Sequence, residues 1–291
     1  MSWSSERITN ALRLMRPRPS PFLLMRVGPN QDGSYLIPDD LRDLQACFSP
    51  GVSNWKAFED ELARRFNIRS HLCDFSSDEA AFTTPLIPQL QTFEKKWLDL
   101  NGVADAITLD DWVARREPDP AVDLILQMDI EGAEYRNLLN VSAQTLQRFR
   151  ILVIEFHNLG VANHPNPFAA TLGAVLERLD EYFLCVHAHP NNCCGEVRYE
   201  PADLTLPNVI ELTYLRRDRF SAYPYLKPLK PRLPHPSDVS RNVMTNPPLF
   251  LHECWLDGPR AEDSRAKMNA DTLAYLEYAN ALAGLEFARK S

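Results

Sequence analysis

An α/β fold, with helices on both faces of a seven-stranded and mostly parallel sheet, is predicted by three features of the sequence. From residue 46 onward, short apolar runs alternate with helical segments, which is typical of a parallel sheet with covering helices. Residues 46–66 form the first strand, tight turn and helix of this pattern. The 291 residues suffice for one large core. We therefore expect one main domain with extensions.

Residues 1–40 are predicted to form an N-terminal extension made of a helix and a hairpin. Ile8, Leu12 and Met15 recur at helical spacing, so residues 4–16 read as a short amphipathic helix. Residues 22–27 and 35–37 are apolar and flank a turn cluster that contains Asp-Gly, a hairpin signal.

The main domain is predicted to cover residues 41–220 and to hold seven strands. In chain order these strands are residues 46–49, 70–73, 104–107, 122–130, 150–156, 182–188 and 208–215. The helices between them are residues 55–66, residues 89–100, a helix capped by Thr108, and residues 168–179. Residues 221–291 are predicted to be a proline-rich extension that ends in a helix over 261–289.

Composition and charge predict the localisation of the protein and the classes of partner that it does not bind. The formal net charge of -8 argues against nucleic acid or an anionic membrane surface as a partner. No stretch approaches the ~20 apolar residues that span a bilayer, and no signal peptide is evident. Six scattered cysteines are poor material for a disulfide framework. We expect a cytoplasmic protein with reduced thiols, whose oligomeric state the sequence leaves open.

The first strand, turn and helix indicate a cofactor site. Ligands of open parallel sheets bind at the carboxyl ends of the strands. The turn offers Gly51, Ser53 and Asn54 but no G-x-G-x-x-G, which disfavours an NAD-type oxidoreductase. A ligand with a carboxylate and no pyrophosphate, such as S-adenosylmethionine, suits these backbone amides. Asp74 ends the second strand 23 positions after Gly51, where an acidic residue can bind ribose. The simpler alternative is that Gly51 only makes a turn and Asp74 only caps a helix.

Polar residues also end the fourth and fifth predicted strands. Asp129 ends the fourth strand, and His157 and Asn158 end the fifth, with Glu155 on the same strand face as His157. Asp129, His157 and Asn158 could together bind a divalent cation. Alternatively, His157 could act as a general base on a substrate hydroxyl. The simpler alternative is that each of them caps a loop.

His187 and His189 share a face near the end of the sixth predicted strand. With Cys193 and Cys194 they contain the ligand types of a zinc site. Adjacent cysteines fit one tetrahedral ion poorly, so the sequence disfavours this site.

The chain resembles the FkbM family of methyltransferases. The strongest likeness is residues 126–134, Leu-Gln-Met-Asp-Ile-Glu-Gly-Ala-Glu, which resemble the D-x-E-G-A-E segment of the family. Residues 48–53, 58–59, 108–111 and 154–157 support it in order and spacing. The likeness covers about residues 26–217, and Gly28 to Tyr35 resembles a D-G-G-Y element in which Ser34 replaces one glycine.

This resemblance implies a class I methyltransferase, Rossmann-like fold whose last strand is antiparallel. It implies S-adenosylmethionine as cofactor and O-methylation of a hydroxyl on a sugar, lipid or secondary metabolite, so the acceptor is a small molecule or glycan. By position, Gly51 and its turn would hold the methionine end, Asp74 the ribose, and Asp129 would lie near the sulfonium. Glu131 is also expected to bind the cofactor. We expect His157 and Asp129 to be catalytic.

A metal is the alternative use of the same residues. Catechol-type O-methyltransferases hold magnesium through an Asp after strand four and an Asp-Asn after strand five, and Asp129 with His157 and Asn158 is similar in placement. Because His157 stands in place of an Asp, manganese, iron or no metal is as reasonable as magnesium. Two rival functions stay open, namely a non-catalytic cofactor-binding protein of the same fold and a metal-dependent hydrolase.

Overall fold

A computed structural model describes residues 3–239 and 241–257 of the chain. The strands are β1 Leu24–Val27, β2 Tyr35–Pro38, β3 Ala46–Pro50, β4 Arg69–Cys73, β5 Gln91–Glu94, β6 Trp97–Leu98, β7 Ala106–Ile107, β8 Leu124–Met128, β9 Phe149–His157, β10 Phe183–Tyr199 and β11 Leu204–Arg216. The α-helices are α1 Ser5–Leu12, α2 Ala57–Phe66, α3 Leu109–Arg116, α4 Glu134–Asn140, α5 Ala143–Leu146, α6 Pro165–Ala170, α7 Leu172–Tyr182 and α8 Asp218–Ala222.

The predicted α/β fold is confirmed. Seven strands form one sheet in the order β10-β11-β9-β8-β3-β4-β5. Neighbours from β9 to β5 pair in parallel, whereas β11 is antiparallel to both β9 and β10. The last strand is therefore antiparallel, as the family resemblance implies. Strand order reverses at β3, which lies between β4 and β8.

Alternation of side chains along the strands explains why both faces of the sheet are covered. Cys47 and Ile125 belong to a buried cluster that includes residues of the β1–β2 hairpin and of α2. Phe48 and Leu126 belong to a second cluster with residues of α1, α3 and α7. Neighbouring residues of one strand point to opposite faces. Nearly continuous apolar strands such as β8 are therefore buried on both sides.

The predicted N-terminal helix and hairpin are present, as is the cap at Thr108. The α-helix ends at Leu12 and continues as a short 3-10 turn to Met15. Strands β1 and β2 pair antiparallel across the Asp-Gly turn. The Thr108 hydroxyl accepts the amide N–H of Asp111, which satisfies one of the free donors at the start of α3.

The prediction of a helix over residues 89–100 was wrong, whereas the strand predicted over 104–107 is present as β7, outside the main sheet. Residues 89–100 are not helical but contain β5 and β6, and β5 is the edge strand of the main sheet. Residues 106–107 pair with β6 in a separate two-stranded sheet. The cause is tertiary, since Gln91 turns inward and bonds both Lys56 and Asp60 of the neighbouring helix region.

Two other elements differ in extent from the prediction. Strands β10 and β11 extend their pairing through residues 196–207 as a long hairpin with a register irregularity after Asn191. The helix predicted over 168–179 is two helices, α6 and α7, separated at Thr171.

The proline-rich segment after α8 runs back along the domain. Leu229 bridges to Ser20, and Leu256 is fully buried in the core with α1. The helix predicted over 261–289 lies outside the described residues. Within residues 3–239 and 241–257, no helix combines the length and the apolar character that crossing a bilayer requires.

Candidate active site

Four predicted site residues meet at the carboxyl edge of the central strands. Gly51 follows β3, Asp74 follows β4, Asp129 follows β8, and His157 ends β9. These strands are neighbours, so the residues that follow them face one crevice at the point where strand order reverses. Such a switch point is where open α/β sheets bind ligands.

Gly51 is required by the close approach of two strand ends. Its φ is +82°, and a Cβ atom there would overlap the carbonyl oxygen of Asp129 and lie 2.7 Å from the carbonyl carbon. The Gly51 N–H donates to Cys73 O at 2.9 Å. The glycine thus lets the ends of β3, β4 and β8 converge.

Hydrogen bonds to the Asp74 carboxylate stabilise the turn after Gly51. The amide N–H of Ser53 donates to Asp74 Oδ2 at 2.8 Å, and that of Asn54 donates to Ser77 Oγ at 3.0 Å. These two amides, which we expected to hold the ligand carboxylate, therefore already donate to protein oxygens. The turn contributes Gly51 and Ser53 to the cavity walls instead.

Asp74 is buried, and its carboxylate is saturated with hydrogen bonds. Besides Ser53, it accepts the backbone and hydroxyl of Ser76 and the hydroxyl of Ser77. Burial raises its pKa, but the serine and backbone hydrogen bonds outweigh burial and hold the pKa below the usual range. The group is an anion at neutral pH, and it orders the loops on both sides of the crevice.

A cavity of about 430 Å³ opens beside Asp74. It is lined by Gly51, Ser53, Cys73, Asp74, Ser76, Lys96, Trp97, Leu98, Asp99, Val103, Asp129, Ile130, Glu131, Ala133 and Arg136. Trp97, 43% exposed, packs on Phe75 with ring centroids 5.1 Å apart. Arg136 forms two hydrogen bonds with Asp99, at 2.7 and 2.6 Å. Trp97 and Asp99 were missed because they fall in the segment predicted as helix.

A second cavity of about 280 Å³ shares Gly51, Ser53 and Asp129 with the first. Its other walls are Gln31, Asp32, Gly33 and Tyr35 of the hairpin, Val52, Trp55, Phe58, Glu59 and Gln127. Glu59 bonds the hydroxyl of Ser49, and burial raises the pKa of Glu59 to about 7. Glu59 therefore lies in the wall of this cavity as a buried carboxyl group.

Carboxylates surround His157 to form what we call the strand-end cluster, made of Asp129, Glu131, Glu134, Glu155 and His157. The ring Nδ1 lies 3.1 Å from Glu134 Oε1. The ring Nε2 lies 3.5 Å from Glu131 Oε2, 3.7 Å from Glu155 Oε1 and 3.8 Å from Asp129 Oδ1. Among the described residues, one group of acidic and histidine side chains is close enough to hold a metal ion, namely Asp129, Glu134 and His157.

Burial and mutual charges shift the pKa values of Asp129 and His157 in the strand-end cluster. Burial raises the pKa of Asp129 to about 7, against the opposing charge of His157 and with help from Glu131 and Glu134. Burial lowers the pKa of His157, but the hydrogen bond and charge of Glu134 outweigh it and raise that pKa. Asp129 can therefore exchange a proton near neutral pH.

Asn158, the third predicted metal ligand, is not part of the strand-end cluster. It is exposed and adopts a left-handed φ of 61°. Its carboxamide nitrogen lies 3.5 Å from the position that a Cβ on Gly132 would take.

The four-residue zinc set does not assemble. His187 Nε2 lies 2.8 Å from Asp238 Oδ1, and His189 Nε2 lies 3.0 Å from Asn242 Oδ1. Both histidines thus attach the C-terminal segment to β10. Cys193 and Cys194 are in contact with each other and join no metal-ligating group among the described residues.

The fold and the crevice define a class: a Rossmann-like α/β domain with a ligand cavity at its switch point. Within it, residues 103–183 match the family model of the methyltransferase FkbM domain. The match contains Asp129, Glu131, Glu134 and His157, so the resemblance inferred from the sequence is confirmed for this part of the chain.

Solved structures of two methyltransferases show a weak likeness to the chain. The chain is 10% identical to a point mutant of the 16S rRNA (adenine(1408)-N(1))-methyltransferase from Catenulisporales acidiphilia, with a TM-score of 0.32 over 66% of this chain and 97% of that one. It is 13% identical to the methyltransferase CalO6, with a TM-score of 0.29 over 60% of this chain and 58% of that one. No curated protein matches the sequence.

Proposed function

We propose that the protein transfers a methyl group from S-adenosylmethionine to a hydroxyl of a small molecule or glycan, such as a sugar, a lipid or a secondary metabolite. One observation carries the proposal. The 430 Å³ cavity lies at the switch point of the sheet and meets a second cavity at Asp129, inside the segment that matches the methyltransferase domain. Two cavities that share a wall suit a donor and an acceptor that must meet.

The larger cavity suits the nucleoside half of the donor. Trp97 offers an exposed aromatic face for adenine, and base–aromatic stacking contributes about 1–3 kcal/mol. We assign Asp74 to the ribose, although its oxygens already accept four hydrogen bonds. A carboxylate has about four acceptor sites. A ribose hydroxyl would therefore take the place of one serine hydroxyl.

The wall that the two cavities share at Asp129 is where we place the methyl carbon and the acceptor oxygen. In the transfer, the acceptor oxygen forms a bond to the methyl carbon, the carbon–sulfur bond breaks, and its electron pair stays on sulfur to give S-adenosylhomocysteine. Positioning the two reactants supplies up to about 7–11 kcal/mol in intramolecular reactions. The hydroxyl proton leaves to the strand-end cluster, where we assign Asp129 and His157 as catalytic, because the pKa of about 7 for Asp129 suits proton exchange.

The test is calorimetric titration of metal-free protein with S-adenosylmethionine and S-adenosylhomocysteine. We expect micromolar binding that Asp74→Ala abolishes. Asp110→Ala is the matched control, because Asp110 also accepts the backbone and hydroxyl of a serine, Ser142, but lines neither cavity. Failure of the wild type to bind either compound, with or without Mn²⁺ or Mg²⁺, would overturn the proposal. Binding without transfer to any hydroxyl acceptor would favour a non-catalytic protein of the same fold.

A further inference from the structure

We propose that Cys193 and Cys194 form a redox-active dithiol, which a small-molecule disulfide such as oxidised glutathione converts reversibly to a disulfide between these neighbouring residues. Its oxidation is transmitted through Asn191 to Glu155 of the strand-end cluster. This modification site goes beyond the proposed methyl transfer and does not depend on it. The reaction requires an accessible thiol, a second thiol within reach, and a backbone that tolerates the ring that the two sulfurs close.

The two thiol groups are in contact, and one of them is open to solvent. Their sulfur atoms lie 2.6 Å apart, about half an ångström more than a disulfide bond of about 2.05 Å. Cys194 is exposed, whereas Cys193 is only partly exposed. Burial and the contact with Cys194 raise the pKa of the Cys193 thiol. Cys193 therefore stays protonated, and Cys194 is the thiol that a dissolved disulfide reaches first.

Residues 192–195 interrupt the pairing of β10 with β11. They lie between the paired residues Asn191 and Glu196, whereas β11 has only Asn208 opposite them. Gly195 follows the two cysteines with a left-handed φ of +68°, and a Cβ atom there would meet nothing within 4 Å. Because this part of β10 is free of the regular ladder and ends in an unobstructed glycine, the backbone can adjust when the ring closes.

Two successive thiol–disulfide exchanges form the ring. The Cys194 thiolate attacks one sulfur of the small disulfide, whose S–S bond breaks and releases one small thiolate. Cys193 then loses its proton, attacks the Cys194 sulfur and releases the second small thiolate. The two small thiolates take up the two protons that the protein thiols lose. Both cysteines are thereby oxidised, and the small disulfide is reduced to two thiols.

The adjacency of the two cysteines makes the product reversible. Neighbouring Cα atoms lie about 3.8 Å apart across a trans peptide, which is less than the ~4.4–6.8 Å usual for a disulfide. A disulfide closed over this distance is strained, and strained or exposed disulfides are the ones that are readily reduced. The site is therefore suited to reversible modification rather than to a permanent cross-link.

Hydrogen bonds connect the dithiol with the strand-end cluster. The Cys193 N–H donates to Asn191 Oδ1 at 2.9 Å, and Asn191 Nδ2 donates to Glu155 Oε1 at 3.0 Å. The same oxygen of Glu155 lies 3.7 Å from Nε2 of His157. Ring closure changes the backbone torsion angles of Cys193, so the Asn191 carboxamide moves with the Cys193 N–H. Glu155 then shifts relative to the His157 ring.

The experiment treats the full chain with oxidised glutathione, alkylates the remaining thiols and analyses the peptides by mass spectrometry. In the wild type we expect the peptide with Cys193 and Cys194 to lose the mass of two hydrogen atoms and to escape alkylation, and dithiothreitol should reverse both changes. Cys193→Ser should instead stop at a glutathione adduct on Cys194. Cys254→Ser is the matched control, because Cys254 is also a partly exposed thiol, and this variant should react as the wild type does.

Alkylation of both cysteines in the treated wild type would overturn the proposal. A glutathione adduct that persists on Cys194 of the wild type, or a disulfide from the pair to Cys254, would overturn it as well. The connection to the strand-end cluster is tested by the proton magnetic resonance signal of the His157 ring at constant pH. This signal should move when the wild type is oxidised but not when Asn191→Ala is oxidised. No movement in the wild type, or equal movement in both proteins, would refute transmission through Asn191.

Discussion

Replacing Gly51 by alanine should destabilise the fold and the site together. The left-handed φ of +82° costs an alanine about 1–2 kcal/mol. The new methyl group would also overlap the backbone carbonyl of Asp129, which cannot rotate away as a side chain would. Forced backbone shifts of this kind cost about 1–3 kcal/mol. We expect a loss of about 2–5 kcal/mol of unfolding free energy from the sum of these two costs.

The Gly102→Ala variant separates the conformational cost of a left-handed φ from the cost of the steric overlap. Gly102 has a similar φ of +92°, but a Cβ atom there meets nothing within 4 Å. This variant should lose only the conformational part, about 1–2 kcal/mol.

Urea unfolding at constant slope measures both changes, and calorimetry measures S-adenosylmethionine binding in each variant. Gly51→Ala should lose binding because β3 and β8 move apart, while Gly102→Ala keeps it. Equal stability losses in the two variants would refute the argument that the approach of Asp129 demands glycine at position 51.

Three further predictions concern function and pH. His157→Ala should lower turnover about 10²–10⁴-fold with little change in the dissociation constant of S-adenosylmethionine. Full activity of this variant in steady-state kinetics on the true acceptor would contradict the prediction. Trp97→Ala should weaken S-adenosylmethionine binding by about 1–3 kcal/mol in calorimetry, whereas the Trp97→Phe control should keep most of it. Burial lowers the pKa of His189, but Glu211 and Asp238 outweigh burial and raise it to about 9. Because this folded pKa lies above the unfolded value, the resulting stability is complete below about pH 6.5 and is lost as pH rises toward 9. Urea midpoints of wild type should therefore fall more steeply over this window than those of His189→Gln, and parallel curves would disprove the assignment.

Parts of the fold follow from the sequence because their signals are local. The β1–β2 hairpin needs only an Asp-Gly turn between apolar runs, and the cap at Thr108 needs only a hydroxyl three residues before an amide. Strands such as β8 are apolar apart from single residues such as Gln127, because both of their faces are buried. Strand ends then place Asp129 and His157 at one edge, since parallel strands end on the same side.

Residues 89–107 show where local signals fail. Strand β5 forms because β4 offers it an edge and because Gln91 fills a buried polar position against Lys56. Neither partner is near in sequence, so periodicity alone indicated a helix. The same error concealed Trp97 and Asp99 in the cavity wall.

The class of fold and the polar residues at the strand ends follow from the pattern of amino acids along the chain. The hydrogen-bond partners of those residues depend on how the chain packs. The Asp74 carboxylate accepts hydrogen bonds from Ser53, Ser76 and Ser77, and His157 meets Glu134 and Glu155 around its ring. Strand periodicity determines which face of the sheet a side chain takes, whereas its hydrogen-bond partner belongs to loops and strands that approach from distant parts of the chain.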